Sequence, residues 1–321
     1  MKYFAFLTLI IGTAFSVPAA TDSWRDLSTN LFNNVPIVWH FPTNQLPEKM
    51  WVYQRTLPHV FPSTILSNAV VLGSLQKRGF PKPSTNEFFI WMEVPPNYPG
   101  PIPSVLEIRP NDAEISFSVP KASPVSNKEL PNNESVLKWG KAYAAQFGVD
   151  STGLAPGRIY NSGSGRGVFF SRRLDQTLFF TAADNGSTGE GFSIEFGKQE
   201  RIVAFYAKWS DLERYCNQRT ASLDEISRCI RAHEAIVMPN WQPDDFDRLR
   251  ALATAKKFTF TKITPYYQES FFAEDDNFDT PCKYAVPFAE IDGVADFGTS
   301  NAPVQLLVPI LSSEISRLMK Q

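Results

Sequence analysis

The sequence predicts an α+β fold in which helices cover antiparallel sheets. Three observations predict it: a proline-rich first third with short apolar runs, two later cycles of a helix followed by strands, and a hairpin-like stretch with alternating apolar residues. The predicted domains are a signal peptide at 1–20, a proline-rich β region at 21–131, a helix-plus-sheet unit at 132–216 and a second such unit at 217–321. A helix lying on one face of an antiparallel sheet buries the apolar surfaces of both.

The N-terminal segment has the layout of a secretory signal peptide. Lys2 precedes an apolar run at 4–15, and small residues follow up to Ala20. The run is shorter than the ~20 residues that a membrane-spanning helix needs. The sequence therefore predicts a secreted protein, extracellular or periplasmic, without a membrane span.

Charge and composition narrow the class of partner. The chain has 31 Lys and Arg against 33 Asp and Glu, and no long basic run. Nucleic-acid binding needs a dense basic surface, so nucleic acid is not a predicted partner.

The cysteines and two asparagines predict covalent modifications of an exported chain. One disulfide is expected, and Cys216 with Cys229 is the favoured pair because it would join the end of one helix to the next, while a pairing through Cys282 stays open. Asn133 and Asn185 match the N-glycosylation pattern and predict a glycoprotein if the host is eukaryotic.

Proline dominates the first third. Sixteen of the 25 prolines lie between Pro36 and Pro131. Proline fixes φ and lacks an N–H, which disfavours helices and keeps strands short. The apolar runs between the prolines predict strands at 37–41, 50–54, 88–94, 105–108 and 115–119.

The first cycle begins at Asn132, which offers a helix cap. Val136, Gly140, Tyr143 and Phe147 form one helical stripe, so a helix is predicted up to Gln146. The predicted strands that follow are 158–160, 168–172, 177–181, 192–196 and 201–209. The last two form a hairpin, and the apolar residues on both faces of its second strand predict the middle of an antiparallel sheet.

The second cycle begins with a capping box from Ser222 to Glu225. An apolar stripe that includes His233 and Val237 predicts the helix that follows. Another helix is predicted after Pro243, then strands at 258–263, 283–288 and 304–310, and a final helix at 312–320.

Four stretches resemble exported proteins with PepSY-like, cystatin-style repeats: "GVFFSRRLDQTLFF", "GFSIEFGKQERIVAFYAKW", "SLDEISRCIRAHEAI" and "FTFTKITPYY". In those repeats a helix is followed by an aromatic strand, a turn at Leu-Asp-Gly and a strand pair joined by Phe-Gly-x-x-Gly. Here Gln176 and Glu200 replace the two glycines. The resemblance covers 132–310 and implies a domain that binds or restrains other proteins, with no catalytic residues to carry over.

Serine catalysis has little support in the sequence. Ser164 lies in a glycine-rich segment that leads into a predicted strand, whereas a nucleophile elbow leads into a helix. His40, His59 and His233 are the only histidines available as a base, and His233 lies on the predicted apolar stripe of its helix.

The sequence gives equally little support for a metal site or for cysteine catalysis. Zinc-type spacings are absent. Asp275, Asn277 and Asp279 have the spacing that begins a calcium loop, but the glycine and the closing glutamate that the loop needs are missing. Cys282 has a neighbouring lysine, which alone does not make a nucleophile. No catalytic residue, cofactor or metal is predicted.

The predicted function is a secreted, non-catalytic binding or regulatory protein that acts on another macromolecule, either a secreted protein or a polysaccharide. Its candidate contacts are the loops at 163–167 and 185–189 and the acids near Glu274. Two alternatives stay open: a secreted hydrolase with scattered residues, and a carbohydrate- or small-ligand-binding protein that uses aromatic residues such as Tyr266 and Tyr267 together with the acidic loop.

Overall fold

The computed structural model describes residues 31–32, 34–42, 45–56, 63–72, 89–92, 105–119, 125–180, 189–232, 236–237, 245–269 and 283–311. Within these residues the strands, in chain order, are β1 (Ile37–Trp39), β2 (Lys49–Thr56), β3 (Phe89–Met92), β4 (Val105–Arg109), β5 (Glu114–Ser118), β6 (Arg158–Asn161), β7 (Arg166–Ser171), β8 (Arg173–Leu174), β9 (Thr177–Phe179), β10 (Gly191–Phe196), β11 (Ile202–Lys208), β12 (Asp211–Arg219), β13 (Ile236–Val237), β14 (Lys257–Glu269), β15 (Tyr284–Asp296) and β16 (Asn301–Pro309). The α-helices described are α1 (Ser63–Leu72), α2 (Asn133–Gln146), α3 (Leu223–Arg231) and α4 (Asp245–Leu252). The predicted α+β class with antiparallel sheets is confirmed in this general form.

The chain divides into two compact units, each built from separate stretches of sequence. The first unit comprises 1–42, 223–263 and 291–308, and the second comprises 43–222, 264–290 and 309–321. The predicted domain limits at 131 and 216 stay a prediction.

The first unit packs aromatic residues between short ladders. Strand β1 runs parallel to β14, with Trp39 opposite Phe260, and β13 pairs with β16 in antiparallel fashion. Helix α3 is tied to β1 by a 3.0 Å hydrogen bond from the Trp39 indole N–H to the Ser227 hydroxyl. It buries Ile226 and Ile230 completely. The apolar stripe predicted from the sequence therefore does face a core.

The second unit contains a seven-stranded antiparallel sheet with the order β3-β4-β5-β11-β10-β7-β6. The stretch that was predicted to form a hairpin is β10 and β11, and it lies in the middle of this sheet, as predicted. Strand β5, from the proline-rich region, pairs directly with β11. Residues from both sides of position 131 therefore share one sheet.

Helix α2 packs on this sheet because its apolar stripe is complementary to it. The side chain of Asn132 accepts a hydrogen bond from the Ser135 amide and caps the helix. Val136 and Gly140 are buried, and a Cβ added at Gly140 would lie 2.4 Å from a methyl group of Val168 on β7. Glycine at this position therefore permits close approach of helix and strand.

A second group of strands in this unit surrounds β2. Strand β12 pairs antiparallel with β2, β15 pairs with β2 through Tyr284 and Ala285, and β9 joins β14 at Tyr266 and Tyr267. Strands β8 and β9 form a hairpin. Among the described residues, no helix has the length and apolar character needed to cross a membrane.

Three expectations from the sequence need correction. The disulfide between Cys216 and Cys229 is not formed. Its premise was that Cys216 ends a helix, whereas it lies in strand β12 beside a bulge in the pairing with β2. The helix that begins at Leu223 ends at Arg231, so Val237 belongs to strand β13 and not to the helical stripe.

Candidate functional site

The candidate site lies where the chain passes between the two sets of strands in the second unit. Strand β7 ends at Ser171 in the seven-stranded sheet, and β8 begins at Arg173 in the other set, so Arg172 is the residue at the crossing. Strands β11 and β12 make a second crossing, through Trp209 and Ser210.

A buried carboxylate joins these crossings. Glu190 directly precedes β10, and its side chain has no exposed surface. One oxygen lies 2.6 Å from Nη1 of Arg172, and the other lies 3.6 Å from Nη2 of Arg55. Ser210 contributes both its amide, at 3.2 Å, and its hydroxyl to the same carboxylate. A charge buried this deeply needs such compensation, because desolvation alone would strongly disfavour it.

Arg172 makes further contacts beyond its ion pair with Glu190. Besides Glu190 it donates to the Ser210 carbonyl at 2.6 Å, and its guanidinium carbon lies 4.3 Å from the ring centroid of Trp209. This is a close cation–π distance. The position of Trp209 is therefore fixed by the same cluster that fixes Arg172.

A cavity of about 320 Å³ opens beside this cluster, and we call it the Arg173 pocket. Its lining residues are Tyr53, Asp150, Thr152, Gly153, Arg172, Arg173, Leu174, Asp175, Gln176 and Trp209. Most of the polar ones come from the β8–β9 hairpin, or from the short 3₁₀ turn Ser151–Gly153 and the residue before it.

One wall of the pocket is fixed by a tyrosine–aspartate–arginine contact. The Tyr53 hydroxyl donates to Asp175, and Arg214 donates to the other carboxylate oxygen at 2.8 Å. Burial, followed by the hydrogen bond to Asp175, raises the pKa of Tyr53 to about 12. Tyr53 thus stays a neutral donor over the physiological range.

The turn that carries Asp175 has an unusual backbone. Both Asp175 and Gln176 have positive φ, 46° and 68°. A two-residue turn of this type matches the strand twist but favours asparagine, aspartate or glycine. Gln176 is one of the two positions at which the PepSY-like pattern has glycine, and the other, Glu200, also has positive φ, 60°.

A second aspartate, Asp150, also lines the pocket. Asp150 caps the 3₁₀ turn by accepting from the amide and the hydroxyl of Thr152, at 2.9 and 2.5 Å. These hydrogen bonds lower the pKa of Asp150. Asp150 is therefore ionised at neutral pH, and both aspartates of the pocket already accept hydrogen bonds.

A second polar cluster lies at the turn between β6 and β7. Glu195, which is buried on β10, accepts from the hydroxyls of Ser162 and Ser164 at 2.5 and 3.3 Å. Burial, with the charge of Glu195 as a smaller cause, raises the pKa of nearby Tyr160. Ser164 is thus held against a carboxylate, which orients its hydroxyl but does not supply the histidine base of a serine hydrolase.

The structure places some of the residues that the sequence singled out. His40 follows β1, is exposed, and donates through its backbone amide to the Phe260 carbonyl at 2.8 Å. Asn133 is the exposed first residue of α2, and its glycosylation stays a prediction. Tyr267 is buried, at 1% exposure, so it belongs to the core.

Other predicted residues lie outside the described residues. These are the signal peptide at 1–20, His59, Asn185, His233, Glu274, Asp275, Asn277, Asp279 and Cys282. Within the described residues, no group of three or more His, Cys, Asp or Glu side chains is arranged to hold a metal ion.

The sequence analysis did not single out the residues of the buried cluster and the pocket. Arg172 and Arg173 interrupt an aromatic stretch, and Glu190 precedes a strand whose residues are all buried. Charged residues in such surroundings are a signal, because burial of a charge requires partners. The identity of the partners depends on the crossing of the chain between strand sets, which the sequence does not reveal.

No family model and no curated protein matches the chain. Among solved structures it is similar to YycH from Bacillus subtilis, at 11% identity and a TM-score of 0.31, over 62% of this chain and 41% of YycH. It is also similar to the C-terminal domain of YpeB from Bacillus megaterium, at 9% identity and a TM-score of 0.27, over 77% of this chain and 99% of that domain. The chain thus spans less than half of YycH, and similarities at these TM-scores carry no argument about function.

Proposed function

We propose that the chain is a secreted, non-catalytic binding or regulatory protein that contacts another protein through the Arg173 pocket. The observation that carries the proposal is the fixed geometry of the pocket walls. Arg172, Trp209 and Asp175 are each held by contacts within the second unit. Binding to groups that are already ordered costs less conformational entropy than binding to mobile ones.

The character of the described surface favours polar recognition. Tyr215, at 58%, is the one large apolar side chain that is exposed among the described residues. An extended apolar contact of the kind that marks many interfaces is therefore not offered by this part of the chain. The pocket supplies charged and hydrogen-bonding side chains, which give specificity when their partners match.

The PepSY-like resemblance supports the same proposal. Its turn glycines are replaced at Gln176 and Glu200, yet both residues keep the positive φ that glycine takes most readily. We propose that 132–310 carries PepSY-like repeats and that the β8–β9 turn of the first repeat has become part of a binding site.

The test is affinity capture from the native secretome with the mature chain, residues 21–321, as bait. We expect a saturable protein partner, and we expect the double substitution Arg173→Ala and Gln176→Ala to weaken capture at least tenfold. The matched control is Arg201→Ala, which removes the same charge from an exposed position outside the pocket. Thermal unfolding of all three proteins shows whether the fold is retained.

Two results would overturn the proposal. One is the repeated absence of any saturable partner. The other is a partner whose capture is weakened equally by the pocket substitutions and by the control.

A further inference from the structure

We infer that the Arg173 pocket binds a single carboxylate group of its partner, supplied by an acidic side chain. The inference rests on the proposed function, since it names the chemical group that the same pocket recognises. Three features support it: the unused donors of Arg173, the engagement of the acids around it, and the charges that line the pocket.

Arg173 has hydrogen-bonding capacity that the described part of the protein leaves unused. Its Nε–H is buried and has no acceptor, and its one hydrogen bond to a side chain is a long one, 3.4 Å, to Oε1 of Gln176. A guanidinium has five N–H donors in a planar fork. A buried donor without an acceptor is destabilising, so a ligand that supplies acceptor oxygens is favoured.

The acids near Arg173 are engaged elsewhere. Asp175 accepts from Tyr53 and Arg214, Asp150 accepts from Thr152, and among the described residues none forms an ion pair with Arg173. The neighbouring Arg172, in contrast, is bound by Glu190. The two adjacent arginines therefore differ: Arg172 pairs with a carboxylate of the same protein, and Arg173 has no such partner among the described residues.

The aspartates that line the pocket limit the charge of the ligand. Asp150 and Asp175 lie in the lining together with Arg172 and Arg173. Arg172 is paired with Glu190 and Asp175 with Arg214, whereas Arg173 has no ion-pair partner among the described residues. A dianion such as a phosphate monoester would be repelled by the two aspartates more strongly than a monoanion.

The planar arrangement of the N–H donors of Arg173 favours a carboxylate over other monoanions. A guanidinium and a carboxylate are both planar and can form two parallel N–H···O bonds, a geometry that Lys does not reproduce. A Cβ added at Gly153 would lie 3.3 Å from the indole of Trp209, and both residues line the pocket. The indole gives this part of the lining a flat apolar surface. A short side chain carrying the carboxylate can pack there.

The test uses two small probes that differ only in charge: N-acetyl-glutamate amide and N-acetyl-glutamine amide. They are titrated into the ¹⁵N-labelled mature chain, and the arginine Nε–Hε signals are recorded by NMR. The signal of Arg173 is assigned by its loss in Arg173→Lys. We expect the glutamate probe to shift this signal saturably, with the glutamine probe weaker by roughly tenfold, since hydrogen bonds to charged groups are about twice as strong.

Two variants test whether Arg173 itself binds the glutamate probe. Arg173→Gln should abolish saturable binding of the glutamate probe, followed through the backbone amides of Gln176 and Trp209, and Arg201→Gln should leave it unchanged. Equal binding of both probes, or no saturable shift with the glutamate probe, would overturn the carboxylate inference. Capture of a partner by the wild-type bait in that case would leave the binding function standing, so the two failures are distinguishable.

Discussion

The two ends of the β7–β10 pair bury a carboxylate each, and they compensate it differently. At one end Glu190 is neutralised by Arg55 and Arg172. At the other end Glu195 is 6% exposed and accepts hydroxyl hydrogen bonds from Ser162 and Ser164. Strand β10 thus begins beside an ion-pair cluster and ends beside a hydroxyl cluster, and the two carboxylates are only five residues apart in the sequence.

The difference separates two physical roles. Glu190 connects chain segments that belong to different strand sets, and removal of its charge would take away the carboxylate that the buried Arg55 and Arg172 share. Glu195 connects a strand to the turn beside it, and its hydrogen bonds do not require a charge on the acceptor. The cluster at Glu190 is therefore expected to determine stability, and the cluster at Glu195 to determine local order.

The largest predicted effect comes from Glu190→Gln. The glutamine keeps the size of the side chain but removes the negative charge that the buried Arg55 and Arg172 share. Loss of one partner of a buried ion pair costs about 3–5 kcal/mol. We expect the free energy of unfolding, measured by urea denaturation, to fall by that amount.

The matched control for this prediction is Glu129→Gln. Glu129 pairs with Lys198 on the surface, with both side chains largely exposed, and we expect no measurable change in the midpoint of unfolding. A fall for Glu190→Gln no larger than that of this control would show that the buried cluster does not hold the crossing together.

The sequence predicted the elements of β10 and its neighbours but not this cluster. Alternation of Phe192, Ile194 and Phe196 is a local property that predicts the strand, and the apolar residues on both faces of β11 predict the central position of the hairpin. The partners of Glu190 come from three other segments, at 55, 172 and 210. Their convergence depends on where the chain changes from one set of strands to the other, and no local periodicity encodes that.

Strand β12 is a second feature that local sequence patterns do not predict. Its nine residues, DLERYCNQR, are mostly polar, and each is exposed or half-buried. The strand exists because β2 provides a pairing partner over eight residues. Tertiary pairing overrides propensity in such a strand, so the sequence analysis assigned Cys216 to a helix end and predicted the wrong disulfide.

The second predicted effect is the smaller cost of Glu195→Gln. The amide oxygen can still accept from Ser162 and Ser164, and the burial of a charge is relieved, so we expect the free energy of unfolding to change by no more than about 1 kcal/mol. The substitution also has a specific readout. Burial is the larger cause of the raised pKa of Tyr160, and the charge of Glu195 adds to it.

The titration of Tyr160 follows from that second cause. Removing the negative charge stabilises the tyrosinate, so the pKa of Tyr160 should fall toward its ordinary value without reaching it, because burial persists. Ultraviolet difference absorbance of tyrosinate, with Tyr160→Phe to identify the signal, measures the shift. The proposed difference between the clusters at Glu190 and Glu195 is wrong if Glu195→Gln leaves the pKa of Tyr160 unchanged. It is also wrong if Glu195→Gln costs as much stability as Glu190→Gln.

The smallest predicted effects concern two turns, one before β7 and one after β8. Gln176 in the β8–β9 turn has φ 68°, whereas the β6–β7 turn uses Gly163 at φ 88°, with no atom within 4 Å of an added Cβ. A residue with a side chain in this region is strained by about 1–2 kcal/mol, and part of that is offset by the greater freedom of glycine in the unfolded chain. We therefore expect Gln176→Gly to raise the free energy of unfolding by roughly 0.5–1 kcal/mol and Gly163→Ala to lower it by about the same amount. Urea denaturation of both variants measures the two changes in the free energy of unfolding, and two changes of the same sign would refute the prediction.

If Gln176→Gly also weakens capture of the partner, the strained glutamine is retained for binding at the expense of stability, which is the arrangement expected of a functional turn.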